Sequence, residues 1–169
     1  MLPYQLLTDI SRGEVVGLAR TVVDDLRVQT LHRSGGWRSF TIVWPDGTVH
    51  VQADRFLQRF DGSDTQRTYA YHLVDHLRWC VREGLDLQTI TVADLRRYMG
   101  ALGAKVPGPH GEAWRQRPFG NSALQTAAAC VKGYYRHQAE LGEREDLGRA
   151  LDVSRLPTRA DRELSLIHI

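Results

Sequence analysis

Hydrophobic positions recur at helical spacing through the centre of the chain. From Ser63 to about Arg82, Tyr69, Leu73, His76, Leu77 and Cys80 fall at i, i+4, i+7, i+8 and i+11, on one helix face. Ser63-Asp64-Thr65-Gln66 opens this stretch as an S-x-x-Q capping box, and Gly84 is placed to end it. Thr91-Val92-Ala93-Asp94 caps a second helix through Leu102, with Leu95 and Met99 inward. A third runs from Ser122, where Ser122-Ala123-Leu124-Gln125 reads as another capping box, to about Leu141. It turns Leu124, Ala127, Ala128, Val131, Tyr134 and Tyr135 inward. Gly142 interrupts it, and Glu143–Leu151 predicts a short last helix. Gly103–Gly120 is a Gly- and Pro-containing loop.

The pattern changes upstream. Ser39–Trp44 and Thr48–Val51 are β-favouring runs around Pro45-Asp46-Gly47, which predicts a hairpin within 38–52. Ala53–Phe60 then predicts a short helix with Phe56, Leu57 and Phe60 on its apolar side. Residues 1–37 are ambiguous. Glu14–Leu31 suits a helix, yet Val15, Val16, Val22, Val23 and Val28 suit strands equally, and Ser34-Gly35-Gly36 breaks the chain. The expectation is a mainly α fold: a bundle of four to five helices across 53–152, preceded by a β-hairpin. A linker is expected over 153–163.

The last six residues, Leu164-Ser165-Leu166-Ile167-His168-Ile169, do not fit what precedes them. They match the in-frame translation of a transposon-end sequencing adapter, the alternative being a natural apolar tail. The first reading implies that the natural chain continues past Glu163.

Composition narrows the class. The chain has 169 residues, 42% of them hydrophobic and 25% charged, which supplies one ordinary core. No uncharged apolar run approaches the roughly 18–20 residues of a membrane span. No basic n-region with an apolar h-region marks it for secretion, so a cytoplasmic setting is expected. Two cysteines are too few for a disulfide scaffold. The net charge of +2 is unevenly spread, residues 63–141 carrying ten Lys/Arg against seven Asp/Glu. Arginine outnumbers lysine 20 to 2, and arginine suits bidentate contact with phosphate and guanine.

Two helix faces concentrate that charge. Arg67, Tyr71, Arg78 and Arg82 span about 60° of arc at 100° per residue. This basic stripe with one aromatic is suited to a phosphate backbone or a major groove. On the Ser122 helix Gln125, Ala129, Lys132 and Arg136 share a polar face, with Gln125 placed for a base edge or phosphate and the cations for phosphates. For both faces the competing reading is plain solvated surface. The intervening loop brings Lys105, His110, Trp114, Arg115 and Arg117, basic residues beside a tryptophan that suit either a nucleic-acid strand or a flexible loop.

Little argues for catalysis. No nucleophile elbow, phosphate loop, H-E-x-x-H or paired-carboxylate motif occurs, and Gly108-Pro109-His110-Gly111 is a turn. His72, His76 and Cys80 stand at i, i+4, i+8, but two of them fall in the apolar stripe. A buried, satisfied histidine and a small apolar cysteine are preferred to a metal site, and Cys130 reads the same way. No metal or cofactor is expected.

Several segments together resemble the core-binding domain of tyrosine recombinases, the phage-type integrases. Thr65-Gln66-Arg67-Thr68-Tyr69, Leu73, Leu77-Arg78-Trp79 and Gly84 resemble that domain's first long helix. Ile90-Thr91-Val92-Ala93-Asp94-Leu95 resembles its second, and Asn121–Tyr135, ending Val131-Lys132-Gly133-Tyr134-Tyr135, its last long helix. The hairpin and the Ala53–Phe60 helix resemble the entry to this domain in one bacterial subgroup. Each motif is short; their order and spacing over roughly 38–160 carry the resemblance. It implies a small helical bundle that clamps one face of double-stranded DNA, with the tyrosine nucleophile and its activators in a separate C-terminal domain. The chain as it stands is then not an enzyme but a fragment of one. The implied DNA contacts are Thr65, Gln66, Arg67, Tyr71, Arg78 and Arg82 on the first helix, and Gln125, Lys132 and Arg136 on the last. Many relatives carry Arg-Arg where this chain has Gln125-Thr126-Ala127, which shifts the weight to Lys132 and Arg136. Bacterial or phage origin and self-association on DNA in the full protein are further implications. A helical protein-interaction module with solvated basic faces is the alternative.

Overall fold

The computed structural model describes residues 25–104 and 113–153. Two strands, β1 (Arg27–His32) and β2 (Arg38–Val43), precede five helices: α1 (Val51–Gln58), α2 (Asp64–Arg82), α3 (Val92–Gly103), α4 (Asn121–Glu140) and α5 (Glu145–Val153). The mainly helical class with a preceding hairpin is as the sequence predicts. Much of the ambiguous N-terminal segment, Lys105, His110, the linker beyond Val153 and the last six residues lie outside the described part. The chain forms two compact units, residues 1–74 and 75–169, and α2 supplies its first half to one and its second half to the other.

In the first unit the hairpin is not the one expected. β2 pairs antiparallel with β1, from Arg27 opposite Val43 to His32 opposite Arg38. The connecting turn closes with the Gly36 N–H donating to the Arg33 carbonyl (3.0 Å), and Gly36 takes a left-handed φ of +85° that its missing Cβ permits. The Ser34-Gly35-Gly36 break is therefore a hairpin turn. Pro45-Asp46-Gly47 does turn the chain, with Asp46 accepting from the Thr48 N–H and hydroxyl. Its returning arm makes only an isolated bridge, Val43 to Val49. The chain leaves that arm for α1 at once, because the His50 ring accepts from the Ala53 N–H at 3.2 Å and caps the helix. The core of this unit includes Leu26, Phe40, Ile42, Ala53, Phe56, Leu57 and Leu73. Tyr69 joins it by its ring, which stacks with Phe56 and meets Phe60 edge-on.

Among the described residues the regular elements of the second unit are all helices. α2 and α4 are the longest helices, at 19 and 20 residues. α2 ends in a Schellman arrangement, with Leu85 N–H to the Cys80 carbonyl and Gly84 N–H to the Val81 carbonyl. The expected cap of α3 is present and takes the form of a capping box: the Asp94 N–H donates to Thr91 Oγ1 and the Thr91 N–H to Asp94 Oδ2. The one expected at Ser122 is not. Gly120 is the N-cap and makes no side-chain bond, so Ser122 already lies inside the helix. The Phe119 N–H, bonded to the Leu102 carbonyl at 2.8 Å, fixes the chain's approach and sets the start earlier.

α5 begins two residues later than expected, because Gly142 (φ +82°) and Arg144 (φ +51°) hold the connection out of helical geometry. Arg144 secures this turn by donating to the Leu87 and Ile90 carbonyls (2.9 and 2.7 Å) and pairing with Asp146. α5 lies so close to α4 that a Cβ on Gly148 would stand 2.4 Å from the Ala139 methyl. The core contains Leu77, Trp79, Leu95, Tyr98, Met99, Leu124, Ala127, Cys130, Val131, Tyr134 and Tyr135. Ala128, expected inward, is only half-buried.

Candidate nucleic-acid interface

The first unit presents Thr65, Arg67 and Tyr71 to solvent on the first half of α2. Gln66 has a different task. Its side chain is wholly buried, its carbonyl oxygen accepts from the Phe40 N–H at 3.0 Å, and its amide donates to the Leu57 carbonyl at 2.9 Å. It satisfies a backbone N–H on the outer edge of β2 and adds a second donor to the Leu57 carbonyl near the end of α1, which also accepts from the Phe60 N–H at 3.0 Å. As a DNA contact Gln66 is thus corrected: no polar atom of it remains for a ligand.

In the second unit Arg78 is half-buried on α2. Arg82 does not stand free as the stripe suggests. Its guanidinium lies 4.3 Å over the Trp114 ring and bonds Glu83 at 3.2 Å. Trp114 is itself held, its indole N–H donating to Asp75 Oδ2 at 3.0 Å. The same oxygen accepts from the Tyr98 hydroxyl at 2.6 Å, and Asp75 Oδ1 lies 3.5 Å from Arg115. Arg115 in turn lies 3.9 Å over the Phe119 ring. Burial first, and the Asp75 charge second, push the Tyr98 hydroxyl well above its usual range, so it stays protonated and donates. Arg117 is exposed on the same segment.

On α4 Leu124, Ala127, Val131, Tyr134 and Tyr135 are buried as the periodicity predicts, joined by Cys130 and the polar Gln138. Gln125 and Arg136 are exposed and Lys132 is half-buried. Arg136 pairs with Asp152 of α5 at 3.1 Å, both side chains being about half exposed.

Asp75 escapes notice in the sequence. One signal was available: it stands three residues before Arg78 and seven before Arg82, a lone carboxylate beside an arginine stripe. Its partners on Trp114 and Arg115 come from a loop some 40 residues on, which helical periodicity cannot reach.

His76 and Cys80 belong to the core. His76 Nε2 meets the Tyr135 hydroxyl at 2.7 Å, and the Cys80 sulfur lies 3.6 Å from the same nitrogen. Burial holds the imidazole down to about 3 and pushes the Cys80 thiol up to about 12. Burial also raises Cys130. Neither thiol has the lowered pKa of a reactive cysteine. Among the described residues no group of three His, Cys, Asp or Glu is placed to hold a metal ion, and no helix is long and apolar enough to cross a membrane.

Comparison with protein-family models, curated proteins and solved structures finds no match to this chain.

Proposed function

We propose that this chain is the DNA-positioning part of a site-specific tyrosine recombinase of bacterial or phage origin, acting in the cytoplasm in DNA integration, excision or resolution. The supporting observation is that the two longest helices bury their apolar faces and leave Arg67, Tyr71, Gln125 and Arg136 exposed. The order of motifs along the chain supports the same reading. In this role the chain contacts phosphates and a few base edges of double-stranded DNA, which fix register and orientation. Strand cleavage by a tyrosine, conserving bond energy as a 3′-phosphotyrosyl link, belongs to a separate catalytic domain. The complete protein would self-associate on its target.

Fluorescence anisotropy with a short labelled duplex over a salt series tests it. The expected affinity is micromolar or weaker, within the roughly 10⁻⁴–10⁻⁶ M of non-specific binding, falling with salt. Absence of binding at low salt would overturn it and favour a protein-interaction module whose basic faces are merely solvated. Reading the gene past Glu163 is an independent check: the Arg and His-x-x-Arg blocks and a late Tyr are expected there.

A further inference from the structure

Asp75 is an unexpected residue to find in a surface meant for DNA, since its charge repels phosphates. Yet both its oxygens are engaged, one by Tyr98 and Trp114 and the other by Arg115. Through these bonds it pins the segment that follows Trp114 onto α2, and the Phe119–Leu102 backbone bond pins the far end onto α3. Two guanidinium groups are held over aromatic rings as a result, Arg82 over Trp114 and Arg115 over Phe119. A guanidinium held over a ring has lost rotamer freedom before any ligand arrives, and its planar fork keeps its donors in fixed relation.

We propose that Asp75 is a positioning residue for nucleic acid: it anchors Trp114 and Arg115 so that Arg115 and the exposed Arg117 contact phosphates of duplex DNA beside Arg82. The proposal rests on the DNA-binding function proposed above. It sets two effects of opposite sign against each other. As a bare charge, Asp75 weakens binding and its removal tightens it. As an anchor, it strengthens binding and its removal releases the arginines.

The test is Asp75→Asn in the full chain, measured by anisotropy on a short mixed-sequence duplex over a salt series. Each lost phosphate contact lowers the affinity about eightfold at 0.1 M salt and flattens the log–log slope by about 0.9. The expected result is a loss of one to two such contacts, despite the removed negative charge. In an Arg115→Ala, Arg117→Ala background, Asp75→Asn should no longer weaken binding, because the arginines it acts through are gone and only the removal of its charge remains, which leaves the affinity equal or slightly higher. Unchanged or tighter binding by Asp75→Asn, or an equal further loss in the double-arginine background, overturns the proposal. Trp114→Phe keeps a ring under Arg82 and deletes the bond to Asp75. It decides the matter where Asp75→Asn no longer melts cooperatively: weaker binding supports the anchor and unchanged binding overturns it. A parent chain that binds no duplex at low salt removes the DNA-binding function itself, a result distinct from every variant outcome.

Discussion

His76 and Tyr135 meet through Nε2 and the phenolic oxygen at 2.7 Å, both side chains wholly buried. Among the described residues the ring meets Tyr135, Cys80, Tyr98 and Trp79, none of which is a carboxylate. Burial therefore penalises the imidazolium, and the folded protein holds His76 neutral down to about pH 3. The unfolded chain takes up the proton near pH 6.5, so the unfolded state binds more protons throughout the interval between. Stability should be insensitive to His76 above pH 7 and fall by about 1.4 kcal/mol per pH unit below 6.5. His50 is lowered too, by burial, and acts in the same direction. Thermal melting from pH 7.5 to 4.5 checks this. His76→Gln should flatten the fall relative to the parent; an identical pH profile would show that His76 already charges in the folded state.

Gln66 is placed to test whether a residue in the implied DNA motif is architecture instead. Its amide joins the Phe40 N–H to the Leu57 carbonyl. Gln66→Ala leaves the buried Phe40 N–H without that partner, a cost of about 1–3 kcal/mol, while the Leu57 carbonyl keeps the Phe60 N–H. The variant should melt well below the parent, yet bind duplex DNA with unchanged affinity at a temperature where both are folded. Weaker binding with unchanged melting would return Gln66 to the DNA surface.

The helices were legible because their determinants are local. Thr91 with Asp94, Gly84 and Gly142 are signals that act within a few residues, and the 3.6-residue periodicity marks the buried faces of α2 and α4. Of the capping box expected at Ser63 only half forms: Ser63 Oγ accepts from the Gln66 N–H at 3.4 Å, while the Gln66 side chain turns to Phe40 and Leu57 and the Ser63 N–H bonds the Phe60 carbonyl. The hairpin was misplaced because two turn sequences compete, and the one that wins depends on His50 starting α1 too soon for Thr48–Val51 to complete a strand. The start of α4 was misread because a tertiary bond, Phe119 to Leu102, outranks the local capping pattern. Within the candidate site, exposure of Arg67, Tyr71, Gln125 and Arg136 follows from helical phase alone. The burial of Gln66 and the gathering of Trp114 and Arg115 on Asp75 do not, since their partners lie on other elements, 9 to 40 residues away in sequence.

Val131 lies at the centre of the buried face of α4, fully shielded from solvent. Val131→Asp would bury a carboxylate in this apolar face, at a cost of roughly 3–5 kcal/mol. Urea or thermal unfolding should show a loss of this size. A variant that unfolds like its parent would mean that Val131 faces water.

Arg67 is exposed on the first half of α2 and tests the phosphate contacts of that helix. Arg67→Ala should weaken duplex binding and reduce the log–log salt slope by about one unit, one phosphate contact being lost. A solvated arginine that touches no DNA predicts parental affinity and slope. The two are separated by anisotropy at four or five salt concentrations.

Arg136 and Asp152 form an ion pair at 3.1 Å that competes directly with DNA for the same guanidinium. For Arg136 to reach a phosphate the pair must open, and both side chains are about half exposed, so the pair is weak. Asp152→Asn removes this competition and one negative charge from the same surface. DNA affinity should rise by a factor of about two to five, the size of an exposed ion pair, with melting nearly unchanged. In an Arg136→Ala background the gain should shrink to what the removed charge alone confers, which screening makes small at physiological salt. An equal gain with and without Arg136 would mean that Asp152 acts only as a distant charge, and Arg136 would then drop from the contacts proposed for α4.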